Sequence, residues 1–264
     1  MATVKDIFAF LNGLAPVETK MDFDNVGFLA GFGGAQVNRI VTALDITSEV
    51  VAEAAETGAE LIVSHHPLFF SLKSVTDCDP TGARVTSLLR NGISAICMHT
   101  NLDAAVDGVN DTLARAVGIE NAALLTVEGT DSSGRAYSCA RWGELPQPIG
   151  MEAYLHFLKG ALKTNGLRYY DAGRPVHRLA TVGGSGGSYL HDAYEKGCDT
   201  LLTADIKYDV FLEAKELGMN LIDGDHFCTE NLVVPVLRER LSCGFPEIDV
   251  RISSRHSQTA CFYR

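Results

Sequence analysis

His65 and His66 stand side by side after the aliphatic run Leu61-Ile-Val and just before Pro67. Neutral imidazoles are common ligands for divalent cations. Pro67 biases His66 toward extended backbone, where neighbouring side chains point apart, so the pair suits two nearby cations better than one. By itself it reads better as two surface or capping histidines. Asp103 closes the run His99-Thr-Asn-Leu-Asp103 after another aliphatic segment; alone it reads as a polar turn. His226 and Glu230, four residues apart at the start of the last helical pattern, share one face and can clamp or bridge divalent ions. The plain alternative for Glu230 is a first-turn acid opposing the helix dipole. Convergence favours the metal reading. Three strand ends deliver imidazole or carboxylate, and five donors exceed one four-coordinate structural zinc but suit two metals with open positions.

Two further segments carry polar chemistry. Gly183-Gly-Ser185-Gly-Gly187 fits the G-x-S-x-G pattern of a serine nucleophile and also that of an anion-cradling turn. A plain tight turn is the first reading and the nucleophile the last, because nothing specific supports His226 or His256 as its base. Asp205 and Lys207 end a strand in Thr203-Ala-Asp-Ile-Lys-Tyr208; they suit substrate contact or proton transfer, or else a surface ion pair.

The elements that position these residues alternate. Helical periodicity over Val4–Leu14, Ser48–Thr57, Gly82–Arg90 and Val109–Val117 is interleaved with strand-like runs at Arg39–Asp45, Glu60–Ser64 and Ile93–Met98. The rhythm returns with strands at His177–Val182, Thr200–Thr203 and Asn220–Asp223 and helices at Ser188–Lys196, Asp209–Leu217 and Phe227–Leu241. Between the halves the pattern is weaker, with a strand near Tyr137–Trp142 and a helix near Met151–Leu162. Ile40-Val-Thr-Ala aligns with Leu179-Ala-Thr-Val, and Leu61-Ile-Val-Ser64 with Thr200-Leu-Leu-Thr203, at one offset of 139 residues. Asn91-Gly-Ile-Ser aligns with Leu217-Gly-Met-Asn at a shorter one. The expectation is an α/β protein of two similar three-layer α/β lobes, an internal duplication, over residues 1–125 and 126–264. The lobes would face a shared metal cleft at the carboxyl ends of their strands.

Composition bounds the function class. The 264 residues are 46% hydrophobic and 21% charged, ordinary for a globular chain. A net charge of −11 argues against a nucleic acid polymer as partner. No apolar run is long enough for a bilayer, and no secretory signal pattern is visible. The cysteines are scattered without a C-x-x-C pair, as suits free thiols in a reducing compartment. The expected location is the cytoplasm.

The motifs Asp24-Asn-Val-Gly27, Leu44-Asp-Ile-Thr47, Ser64-His-His-Pro-Leu-Phe69, His99-Thr-Asn-Leu-Asp-Ala-Ala-Val-Asp-Gly-Val-Asn-Asp111, Ala204-Asp-Ile-Lys-Tyr208 and Leu221-Ile-Asp-Gly-Asp-His-Phe-Cys-Thr-Glu230 resemble, in order, those of a known family. It is the YbgI-type dinuclear metal family, also called GTP cyclohydrolase 1 type 2 homologues or NGG-interacting-factor-three-like proteins. The resemblance implies two lobes around two divalent ions per chain, a homohexameric ring, and metal ligands at His65, His66, Asp103, His226 and Glu230. The ions would be Zn, Mn, Fe or Ni, which this donor set does not distinguish. It implies a metal-dependent hydrolase for a small molecule, with ring opening of GTP as the named reaction. His99 and Lys207 are then candidates for proton transfer, and Asn25, Asp45 and Asp205 for substrate binding. The alternative is a non-catalytic metal-binding or interaction ring. The chain departs from the family pattern at Phe23, where Trp is usual, at Gly224-Asp225 for Ala-Gly, and at Asp209 for His.

Overall fold

A computed structural model describes residues 1–263. The chain forms two compact units. One comprises Met1–Leu102 with Val233–Ser257, the other Asp103–Leu232 with the tail from Gln258.

The first unit opens with α1 (Val4–Leu14). Thr3 and Asp6 cap each other's backbone amides at its start, and the helix stops at Ala15, before Pro16. There follow β1 (Gly27–Ala30), β2 (Arg39–Ala43), α2 (Ser48–Thr57), β3 (Leu61–Ser64), α3 (Pro80–Arg90), β4 (Ser94–Cys97) and α4 (Thr100–Ala104), whose last two residues already belong to the second unit. Thr47 caps α2, and Gly58 ends it in the left-handed conformation that glycine adopts at least cost. All four residues of β3 and of β4 are buried, which is why they read as unbroken aliphatic runs rather than alternating ones.

The second unit contains α5 (Val109–Ala116), β5 (Ala123–Leu124), β6 (Gly129–Thr130), β7 (Ala136–Tyr137), β8 (Arg141–Ile149), α6 (Met151–Leu162) and β9 (Arg168–Tyr170). It continues through β10 (Val176–Thr181), α7 (Leu190–Glu195), β11 (Thr200–Thr203), α8 (Tyr208–Leu217), β12 (Asn220–Asp223) and α9 (His226–Glu230). Its main sheet has the order β5-β8-β10-β11-β12-β9, with β10, β11 and β12 parallel. Alternate residues feed two cores. Leu202 and Ile222 join Tyr154, Leu158 and Leu179 in one, while Leu201 and Leu221 join Leu190 and Met219 in the other. Helices thus cover both faces, and each fully buried aliphatic contributes roughly 2 kcal/mol.

The chain then returns to the first unit through α10 (Val233–Gly244) and β13 (Asp249–Ile252). The first sheet has the order β1-β4-β3-β2-β13, with only β1 antiparallel.

The duplication is visible in the register. Ile40 pairs with Leu61 and Leu61 with Ser94; in the second unit Leu179 pairs with Thr200 and Thr200 with Asn220. Each lobe adds an antiparallel strand beyond its third parallel one, β1 beside β4 and β9 beside β12. The fold is a two-lobe α/β fold.

Three details differ from the sequence expectation. The compact units do not divide at residue 125, because β13 pairs with β2 and carries α10 into the first unit. The last helix is two helices: Pro235 has no N–H for the carbonyl of Asn231, and its ring crowds that carbonyl. The strand expected to end at Trp142 continues to Ile149 through Pro146 and Pro148. Those prolines are tolerated because β5 pairs only with Arg141 and Trp142, which leaves the rest of that side of β8 without a partner strand among the described residues.

Candidate metal centre

In the first unit, Asp45, His65, His66 and His99 all lie just beyond the carboxyl ends of β2, β3 and β4, where open α/β sheets place their sites. The chain bends at His65 and His66 instead of staying extended. Their rings consequently lie near each other, with centroids 5.0 Å apart, and His99 is 5.1 and 5.5 Å from them. One ring nitrogen from each of the three falls within 4.8 Å of the others.

Each ring also has its other nitrogen fixed. Nδ1 of His65 donates to the Met98 carbonyl at 2.8 Å, that of His66 to Asp45 at 2.7 Å and that of His99 to Asp24 at 2.8 Å. Carbonyl and carboxylate oxygens only accept, so Nδ1 carries the proton and the lone pair of the neutral ring lies on Nε2. This is the orientation of histidines that bind metals. Asp24 is itself buried and also receives the Thr100 amide and hydroxyl. Burial pushes its carboxyl up, but the hydrogen bonds from His99 and Thr100 outweigh that and bring it down to about 2.

In the second unit, α9 carries His226 and Glu230 on one face, with His226 Nε2 3.0 Å from Glu230 Oε2. Nδ1 of His226 meets Asp205 at 2.6 Å. Burial lowers the His226 pKa, but Glu230 and Asp205 more than compensate, and it rises to about 9. Asp225 caps α9 from the left-handed region, at φ 74°, and accepts from the Cys228 amide and from Gln258. Asp205 is likewise left-handed, at φ 50°. Non-glycine residues rarely adopt such backbone, and two of them flank His226. His66 and Asp205 are equivalent through the duplication. One position thus carries an imidazole oriented by a carboxylate in the first lobe, and a carboxylate orienting an imidazole in the second.

The glycine loop supports this arrangement. Gly183 N donates to Asn110, Gly184 N to Thr229 and Gly186 N to Thr203. Three of its amides are therefore occupied internally and are not offered to an anion. Gly184 has φ +62°, and a Cβ there would lie 2.2 Å from Glu230 Oε1 and 3.2 Å from His226 Cε1. Only glycine lets the loop close over Glu230. Ser185 is exposed. Asn110 also donates to the carbonyl of Asp103, which is itself buried, so it ties the Asp103 backbone to the same loop.

The remaining sequence candidates are placed as follows. Asp45 and Asp205 face His66 and His226. The Asn25 side chain donates to the Phe69 carbonyl at 2.8 Å, steadying the segment after His66. Lys207 is exposed, next to the start of α8. Asp24, Asn110 and Thr229 received no role from the sequence; the only signal was their position inside the quoted motifs. The donor set of imidazole Nε2 atoms and carboxylates fits a divalent first-row cation.

A family model described as Duf34/NIF3 (NGG1p interacting factor 3) matches residues 2–259. A Clostridium perfringens protein named GTP cyclohydrolase 1 type 2 homolog is 34% identical over 240 residues, covering 90% of this chain and 90% of that one. The solved structure of a Bacillus cereus protein related to NIF3 has a TM-score of 0.93 at 21% identity, covering 100% of this chain and 99% of that one. A Staphylococcus aureus hypothetical protein has a TM-score of 0.91 at 28% identity, with 99% of both chains covered. Among the described residues, no helix is long and apolar enough to cross a membrane.

Proposed function

The chain belongs to the Duf34/NIF3 family, and from that premise we propose that it is a metal-dependent hydrolase acting on a nucleotide. His65, His66, Asp103, His226 and Glu230 would hold two divalent ions. The observation that carries this reading is the common orientation of four imidazoles. His65, His66, His99 and His226 each have Nδ1 on a carbonyl or carboxylate oxygen; in His65 and His66 that leaves Nε2 for a metal, in His99 it leaves Nε2 for proton transfer, and in His226 a bound cation would displace the proton that Nε2 shares with Glu230.

When bound, such ions acidify a water and polarise an electrophile. The chain's own groups do the rest. Asp45 and Asp205 hold the tautomers of His66 and His226. His99, anchored by Asp24, accepts and returns a proton at Nε2. Lys207 is the second proton-transfer group, and Asn25 fixes the segment that follows His66. The relative named GTP cyclohydrolase 1 type 2 homolog supports a purine nucleotide as substrate and hydrolytic ring opening as the reaction. The assembly is a homohexamer working in the cytoplasm.

Elemental analysis of protein purified without chelator, with turnover of GTP, other nucleotides and phosphoesters, tests the proposal. Two equivalents of a divalent metal and metal-dependent turnover are expected. Metal without turnover on any substrate would leave only a metal-binding ring, and no metal would remove the centre itself.

A further inference from the structure

We propose that the hollow beside Phe70 in the first unit binds the anionic group of the substrate, so that a phosphorylated, ring-bearing small molecule presents its ring, not its phosphate, to the histidines. The inference rests on the hydrolase reading above and adds the substrate's orientation to it.

The segment directly after His66 walls a cavity of about 570 Å³, whose other side is the first turns of α3. Lys73 and Arg84 line it together with the hydroxyls of Ser71, Ser74 and Thr81. The single acid in the lining, Asp79, is committed to capping α3 through the amides of Thr81 and Gly82, at 3.0 and 2.9 Å. Arg84 is held in place by two hydrogen bonds, from Nη1 to the Ile46 carbonyl at 3.0 Å and from Nη2 to Thr81 at 3.1 Å. Its Nε is enclosed and has no hydrogen-bond partner among the described residues. No carboxylate pairs with Arg84 or Lys73 among them either. The enclosed Nε does not reach a ligand, but a fixed, half-buried guanidinium whose Nη1 and Nη2 each keep a second N–H, with no counter-ion, favours an incoming anion, and that pair of donors matches phosphate. The wall is also pinned. The backbone of Thr76 packs so closely on Gly82 that a Cβ there would lie 2.2 Å from the Thr76 carbonyl oxygen.

Phe70 sets the direction. It lines the cavity, and its ring is 5.9 Å from that of His99 and 6.4 Å from that of Phe23. Phe70 and Phe23 are 56% and 66% exposed, an aromatic pair that suits stacking by a flat ring. A ligand with its anion at Arg84 and Lys73 then passes its ring over Phe70 toward His99. A simple phosphomonoesterase would need the reverse arrangement.

Calorimetric titration of the metal-loaded full chain with GTP, guanosine and inorganic triphosphate tests this, with Lys73→Ala, Arg84→Lys and Phe70→Ala. Arg84→Lys keeps the charge and loses the fork. Lys73→Ala and Arg84→Lys should each weaken GTP by roughly tenfold and leave guanosine unchanged; Phe70→Ala should weaken both. Metal content, read by elemental analysis, should match wild type in all three. GTP affinity unchanged in both cation variants, inorganic triphosphate binding as tightly as GTP, or no GTP binding to wild type would each overturn the inference. Tight, Lys73-dependent GTP binding without turnover would refute the hydrolase reading and leave the pocket standing.

Discussion

Gly184→Ala adds one methyl group where the second unit has no space for it. The new Cβ would sit 2.2 Å from Glu230 Oε1 and 3.1 Å from Glu230 Cδ. Ordinary contact requires the carboxylate to withdraw by about 1 Å, whereas metal–ligand distances tolerate about 0.2 Å. Glu230 is only 3% exposed, so the carboxylate has little room to retreat. Alanine at φ +62° adds roughly 1–2 kcal/mol of left-handed backbone cost, a melting-temperature loss of a few degrees at this chain length. The assay is competitive titration with a zinc chelator, alongside thermal melts of metal-free protein. Zinc affinity should fall by roughly 10- to 100-fold, more than the modest stability loss accounts for. Wild-type zinc affinity in a correctly folded Gly184→Ala protein would show that the loop does not position a metal-binding Glu230, and the reasoning would be wrong.

Asp24 has a folded pKa near 2, below its ordinary 3.8, so its contribution of about 2 kcal/mol is complete above pH 4 and disappears as pH falls through 2. Asp24→Asn should flatten that part of the stability–pH profile, and acid-denaturation curves parallel to wild type would contradict this. Asp45→Asn should lower metal affinity by about tenfold with little change in the metal-free melting temperature, because Asp45 is a half-exposed residue whose described partner is His66; unchanged affinity would exclude an orienting role. Metal at about 100 times its dissociation constant should stabilise the folded chain by about 2.7 kcal/mol, read as a melting shift reversed by chelator. A chelator-insensitive melt would argue against a resident ion.

The parallel core was legible because β3 and β4 are buried on both faces and read as aliphatic runs. The aligned pairs Ile40/Leu179 and Leu61/Thr200 also hold equivalent register positions. The short edge strands β1 and β9 carry no such run. Neither does β13, whose pairing partner Arg39 lies some 210 residues before Asp249; local periodicity cannot reveal that pairing, which is why a division at residue 125 differs from the compact units. The histidines stood out as residue types at strand ends. Asp45 and Asp205 stood out only as substrate-binding candidates and Asp24 not at all; their orienting role was hidden because the His99–Asp24 and His66–Asp45 bonds span 75 and 21 residues of chain. Pro67 suggested that the two adjacent imidazoles point apart, but the bend at His65 and His66 brings their rings to 5.0 Å.

Because β2 pairs with β13, its sheet has an open flank until residue 252 has been synthesised. At ~5–20 residues per second that is a wait of roughly 10–40 s after β2 emerges. Throughout it, a nascent chain presents bare strand amides and carbonyls to its neighbours. The stretch from Asp103 to Leu232 is continuous and carries every strand of its own sheet. The later-made unit can therefore finish folding before the earlier-made one, reversing the order of translation.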